Sequence, residues 1–173
     1  MSNIRNVVIA VLAGILFMLP TSCTISYKFN SASIDYTKIK TIQIDNFPIR
    51  SAYVWAPMQS IFQNRLTDVF ASRTKLQLVK RGGNLQLAGE ITGFDQFNKG
   101  IAADGYSSQV QLKMTVNVRY TNNVNSNESF ERQFSATAEY DATQQLTAVQ
   151  EELVTQMARE IIDQIFNSTV ANW

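Results

Sequence analysis

A chain of 173 residues with 15 basic and 14 acidic side chains is close to neutral, and this argues against a nucleic-acid binder, which would carry a basic excess or stripe. There is no histidine and only one cysteine, so the commonest general base and the commonest transition-metal ligand are both missing. Zinc, haem and thiol chemistry lose their usual groups, and the length is that of one domain behind a short leader.

The first five residues, Met1 to Arg5, carry one positive charge and no acid. Val7 to Leu19 is then apolar apart from Gly14. This run of about a dozen residues falls short of the roughly 20 that span a bilayer. A basic start followed by a short apolar core reads as a secretory signal, assigned to residues 1–22. The sequence Leu19-Pro20-Thr21-Ser22-Cys23 resembles the lipobox of bacterial lipoproteins, with Pro20 at a place usually held by an apolar residue. The resemblance implies cleavage before Cys23 and a covalent N-acyl diacylglyceryl lipid on that residue, with no other cofactor. An ordinary signal with an incidental Cys23 is the plain alternative. As the sole cysteine of an exported chain, however, Cys23 has no internal disulfide partner. Setting Arg5 aside from the 15 basic residues leaves 14, equal to the acids.

Residues 23–37 read as the lipidated cysteine and a polar tether, and residues 38–173 as a single domain. Lys40 to Asp45 alternates, with Ile42 and Ile44 on one face and Thr41 and Gln43 on the other, which predicts a half-buried strand. A loop containing Pro48 follows. Pro57 suits a first helical position, and Met58, Ile61, Phe62, Leu66, Val69 and Phe70 recur at spacings of three and four, an amphipathic helix. Leu76 to Val79 is a short strand and Arg81-Gly82-Gly83-Asn84 a turn. Leu85 to about Phe97 is a longer strand with Leu85, Leu87 and Ile91 on one face. Gly89 and Gly93 are expected on that same face, marking a bend or a close approach.

The clearest segment is Val110 to Tyr120, in which apolar and polar residues alternate strictly. An Asn-rich turn at Asn122 to Asn127 leads to a strand from Phe130 to Tyr140, with Phe134, Ala136, Ala138 and Tyr140 inward. Leu146, Val149, Leu153, Met157, Ile161 and Ile165 then form the stripe of a long C-terminal helix. The order is β-α-β-β-β-β-α. A helix between the first two strands predicts parallel pairing, and the short turns after them predict antiparallel pairing. One apolar face per strand means cover on one side only. The expected fold is an α+β two-layer sandwich, a mixed sheet of four to five strands covered on one face by two helices.

Several stretches, taken in order, carry a resemblance: Cys23 to Asn30, Ser33-Ile34-Asp35-Tyr36, Lys40-Thr41-Ile42, Thr74 to Val79, Gly89-Glu90-Ile91-Thr92-Gly93, Phe130 to Ser135, and Ile165 to Trp173. Together they resemble the LPS-assembly lipoprotein LptE family in its Bacteroidetes-type form. No single motif is diagnostic; the ensemble and its order carry the resemblance. It implies an outer-membrane lipoprotein, lipid-anchored and facing the periplasm, that plugs an LptD-type β-barrel and assists lipopolysaccharide transport. It also implies a sheet with two helices packed on it.

Two surfaces are candidates for such work. The outward strand positions are neutral and polar: Thr41, Gln43, Gln77, Gln86, Gln111, Thr115, Asn117, Gln133, Ser135 and Thr137. Amides and hydroxyls exchange water for protein partners more cheaply than ions do, as a barrel lumen would require. Candidate barrel contacts are therefore Gln111, Thr115 and Asn117, together with Trp55 in the first loop beside Tyr53 and Val54. An ordinary solvated face of an antiparallel sheet is the alternative. The second surface is basic: Lys75, Lys80 and Arg81 around the glycine turn, with Lys113 and Arg119 on the long strand. These are candidate contacts for lipopolysaccharide phosphates, against scattered solubilising charge. No catalytic or metal site is expected, and no Gly-x-Ser-x-Gly elbow occurs. The competing function is an auxiliary lipoprotein of an ABC-type lipid transport system.

Overall fold

The computed structural model describes residues 34–101 and 107–170. In chain order these form strand β1 (Thr41–Ile44), helix α1 (Ala56–Arg73), strands β2 (Gln77–Val79), β3 (Leu85–Ile101) and β4 (Ser107–Asn122), a 3₁₀ turn at Ser126–Glu128, strand β5 (Phe130–Asp141) and helix α2 (Leu146–Thr169). The strands make one mixed sheet in the order β2-β1-β3-β4-β5. Both helices belong to the α+β sandwich that the periodicity predicted. Cys23 and the signal and tether segments up to Ser33 lie outside the described residues.

Local chemistry explains each helix. Pro57 occupies the first turn of α1, where its missing N–H costs nothing. Met58, Phe62, Leu66, Val69 and Phe70 are buried along one stripe. Arg73 in the last turn faces the negative end of the helix dipole and reaches Asp163 of α2 at 2.8 Å. The buried stripe of α2 is wider than expected. Val154, Ala158, Ile162 and Phe166 are buried beside Leu153, Met157, Ile161 and Ile165, because α2 packs on both the sheet and α1. One core joins the helices to the inward sheet residues Ile42, Leu85, Leu87, Ile91, Leu112, Met114, Val116, Val118, Phe134, Ala136 and Ala138.

Strands β1 and β2 pair in parallel across the α1 crossover, and β3-β4 and β4-β5 are antiparallel, as expected. The β2–β3 connection differs. The short turn predicted an antiparallel hairpin, but β2 and β3 flank β1 on opposite sides and both run parallel to it. Residues 80–84 must therefore cross about 10 Å, two strand spacings, over the outward face of β1. Gly82 has a positive φ of 71°, and its N–H donates to Gln43 Oε1 at 2.9 Å. Gly83 lies flat on β1, where a Cβ would stand 2.6 Å from Gln43 N and 2.5 Å from Leu85 O. Asn84 then fastens the crossing. Its Oδ1 accepts from the Lys40 N–H at 2.9 Å and the Thr41 N–H at 3.2 Å, and its own N–H donates to Thr41 Oγ1 at 2.9 Å.

Gly93 also departs from expectation. The β3-β4 register shifts between Ile91 and Gly93, a β-bulge that adds one residue, Thr92. Inward and outward positions exchange after it, so Phe94 is buried and Gly93 faces outward beside Thr115. Gly89 does meet a close neighbour, the Phe47 ring of the β1–α1 loop; a Cβ there would stand 2.5 Å from that ring and 2.2 Å from Asn117 O. That loop rides along β3: the Ile91 N–H donates to Pro48 O at 2.9 Å, and Ile91 O accepts from the N–H of Arg50 at 2.8 Å and of Ser51 at 3.1 Å.

Candidate functional site

The outward face of the sheet is built by register. Glu90, Asn117 and Gln133 form one row across β3, β4 and β5; Gly93, Thr115 and Ser135 form the next; then Asp95, Lys113 and Thr137; then Phe97, Gln111 and Glu139. The candidate contacts Gln111, Thr115 and Asn117 therefore share one strand face, and all three are half-buried. The row at Thr115 is small and uncharged. Gly93 has no side chain, and Thr115 and Ser135 carry short hydroxyls.

Asp95 and Lys113 bring charge to the middle of this face, and ion pairs stand at its two ends. Glu131 accepts from Asn117 Nδ2 at 2.9 Å and from Arg119 Nε at 3.1 Å. Those contacts, the Asn117 hydrogen bond first, hold its carboxyl below the ordinary glutamate range. At the other end Lys99 pairs with Glu139, which also accepts from Gln111 Nε2 at 3.4 Å. The Lys99 hydrogen bond leads in drawing the Glu139 carboxyl down. Both ion pairs are solvent-exposed and add little stability individually. Just past the end of β1 the Asp45 carboxylate is satisfied by amides, accepting from Gln43 Nε2 at 2.7 Å and Gln86 Nε2 at 2.9 Å.

The basic candidates do not form one cluster. Lys80 and Arg81 lie together at the start of the β2–β3 crossing, exposed and without an ion pair among the described residues. Lys75 precedes β2 at its opposite end, with its ammonium 6.0 Å from the Tyr36 ring centroid. Lys113 is exposed and makes no ion pair among the described residues, although it stands across from Asp95. Arg119 is committed to Glu131. In the first loop, Trp55 is half-buried against the core at the start of α1, and Tyr53 stacks on Phe94 and donates to Gln150 Oε1 at 2.8 Å. Val54, 68% exposed, is the apolar side chain that this loop presents to solvent.

Sequence reasoning missed the acidic partners Glu131 and Glu139, along with Asp95, Phe97 and Lys99. The alternation of β5 already sets Glu131 and Glu139 on the face opposite to Phe134 and Ala136. The β3 residues were hidden by the bulge, which reverses their parity.

The outward surface is a broad sheet face, rich in amides and hydroxyls, on a two-layer scaffold. Solved structures share the fold. A minor lipoprotein of Acinetobacter baumannii superposes with a TM-score of 0.53 at 14% identity, covering 78% of this chain and 94% of its own. An uncharacterized lipoprotein B of Nitrosomonas europaea gives 0.51 at 15% identity, covering 77% and 83%. A hypothetical protein of Chlamydia trachomatis gives 0.51 at 13% identity, covering 77% and 99%. No curated protein matches the sequence at a significant level. The LptE lipopolysaccharide-assembly family model matches residues 39–169, nearly the whole described domain, and the chain belongs to that family. This places it among non-enzymatic, membrane-associated lipoproteins of lipopolysaccharide assembly. No helix among the described residues is long and apolar enough to cross a membrane.

Proposed function

We propose that the chain is anchored through a lipid on Cys23 to the inner leaflet of the outer membrane, faces the periplasm, and partners an LptD-type β-barrel. In this reading the outward sheet face sits in the barrel lumen and the chain assists passage of lipopolysaccharide to the outer leaflet. The family match over residues 39–169 carries the reading. The amide and hydroxyl character of Gln111, Thr115 and Asn117 supports it, since such groups leave water at far lower cost than ions. Lys80, Arg81 and Lys113, exposed and without ion pairs among the described residues, are the basic groups best placed to meet phosphate.

The test uses Thr115→Glu and Thr137→Glu, introduced separately. Neither position carries a charge that the change would remove, so the free protein should keep its stability to within roughly half a kcal/mol. In a dry interface a new carboxylate would cost several kcal/mol of binding. The measurement is barrel co-purified per unit of folded lipoprotein from outer membranes. Wild-type recovery for both variants would place the barrel contact elsewhere. Co-purification with an inner-membrane transport complex instead would favour the ABC-type reading.

A further inference from the structure

Strand β3 has two halves with different neighbours. As far as Ile91 its β1-side edge is occupied, by β1 and then by the loop through Pro48, Arg50 and Ser51. Beyond the bulge no strand among the described residues pairs with that edge. From Gly93 to Lys99 it extends for about 23 Å. The side chains of Asp95, Gln96, Phe97, Asn98 and Lys99 are all exposed, and Phe97 is 49% accessible. An open edge of this kind is a template for another strand, and proteins ordinarily shorten, cover or charge such edges.

The bulge determines which groups this edge offers. Ile91 directs its N–H and C=O away from β4, toward the loop. The one-residue shift at Thr92 transfers that role to Phe94, Gln96 and Asn98, while Asp95, Phe97 and Lys99 direct their backbone groups to Lys113, Gln111 and Gln109 of β4. The side chains of Asp95, Phe97 and Lys99 stand on the outward face, spaced two residues apart in the order acid, aromatic, base.

We infer that this edge pairs with the same edge of a second copy, antiparallel and centred on Phe97. In that register Gln96 and Asn98 exchange backbone hydrogen bonds with Asn98 and Gln96 of the second copy. Phe97 meets its own symmetry mate in a close, non-hydrogen-bonded pair, and each Asp95 stands opposite a Lys99. Such a two-fold contact is self-complementary, as a closed dimer requires. The other sheet edges do not fit. Strand β2 has only three residues. Strand β5 carries Glu131, Glu139 and Asp141 on its outward face with no cation among them, so no antiparallel self-register can join unlike charges there. Its Ser135 carbonyl is also taken by Gln164 Nε2 at 3.2 Å. The pairing does not depend on the barrel reading, and its test involves no barrel.

The full chain in detergent micelles should show a mass that rises from one copy to two with concentration, measured by light scattering behind size exclusion. Asp95 makes no hydrogen bond or ion pair with any other described residue, so Asp95→Lys should fold normally, yet it sets Lys opposite Lys99 twice and should weaken association roughly tenfold. Lys99→Asp should do the same from the other side. Mixing the two variants restores unlike pairing and should restore the dimer. If Lys99→Asp fails to fold, Asp95→Lys alone decides. In parallel, Phe97→Cys should form an oxidised dimer whose linking peptide, identified by mass spectrometry, joins residue 97 to residue 97. Wild type that stays monomeric, an Asp95→Lys chain that associates as wild type does, or bridges from residue 97 only to Cys23 or to another protein would each overturn the inference.

Discussion

Along β4 the inward side chains from Leu112 to Val118 are fully buried and held by packing, whereas the outward Gln111, Asn117 and Arg119 are held by exposed hydrogen bonds and an ion pair. Adjacent residues on one strand thus answer to different physics. Burial of an apolar side chain is worth about 1.5–3 kcal/mol and has no substitute in water. An outward amide bond exchanges with water for a net of about 1 kcal/mol. The inward face therefore determines whether the domain folds. The outward face is free to be shaped by whatever it touches.

The sharpest break of this contrast is Val116→Asp. Val116 is 0% exposed, paired across the strands with Ile91 and Phe134 within the one core, and an unpaired carboxylate there costs several kcal/mol. Against a typical domain stability of roughly 5–15 kcal/mol, urea denaturation should show most or all of the stability gone. A midpoint near wild type would mean that β4 is turned over in solution.

Next in size is Gly83→Ala, placed on the outward side yet expected to be costly. The new Cβ would press on two backbone atoms, Gln43 N and Leu85 O, neither of which can swing aside as a side-chain tip does. A loss of about 1–3 kcal/mol follows, as for other overpacked sites. Gly82→Ala meets no atom within 4 Å and is penalised only for its positive φ. If Gly83→Ala melts with wild type, residues 80–84 do not cross β1 as described.

Asn117→Asp should come third, at about 1 kcal/mol. The substitution removes the amide donor to Glu131 and sets a carboxylate between Glu131 and Glu90, its neighbour across β3. Sequence alternation alone, which shows Asn117 only as an outward polar residue, predicts a mild effect at most. Thermal melting at low salt separates the two expectations.

How far the sequence is legible follows from the same contrast. Strict alternation from Val110 to Tyr120 and the helical stripes after Pro57 and Leu146 located the main elements, because each is written in local spacing. The parity of Gly93 was not legible, since a single extra residue at Thr92 leaves no compositional trace while reversing everything after it. The path from β2 to β3 was equally hidden. Arg81-Gly82-Gly83-Asn84 spells a turn, but only the long-range bonds of Asn84 to Lys40 and Thr41 decide that it crosses β1 instead of reversing. For the candidate site, the outward polar strip was legible. That Arg119 is neutralised and that Lys75 stands apart from Lys80 were not, because the first depends on cross-strand register and the second on the direction in which β2 runs.

The smallest expected effect tests whether the outward hydrogen bonds persist in water. Glu131 is held below its ordinary value, near 4.5, first by the Asn117 amide and then by Arg119. A carboxyl whose folded value is depressed binds its proton more weakly folded than unfolded. Its contribution is complete above the unfolded value and is lost as pH falls through the folded one. Wild-type stability should therefore decline on acidification below about pH 4.5, with Glu139, drawn down by Lys99, adding to the same slope. Glu131→Gln removes one titrating group. It should lower stability slightly at pH 7, where the carboxylate contributes, and converge with wild type in acid, so that its decline with falling pH is shallower; exposure and solvent screening keep the difference small. Added salt should shrink the difference between the two proteins, as the Arg119 attraction is screened. Identical acid slopes for the variant and wild type at low salt would mean that Asn117, Glu131 and Arg119 are separately solvated, leaving the outward face with no fixed network for a partner to displace.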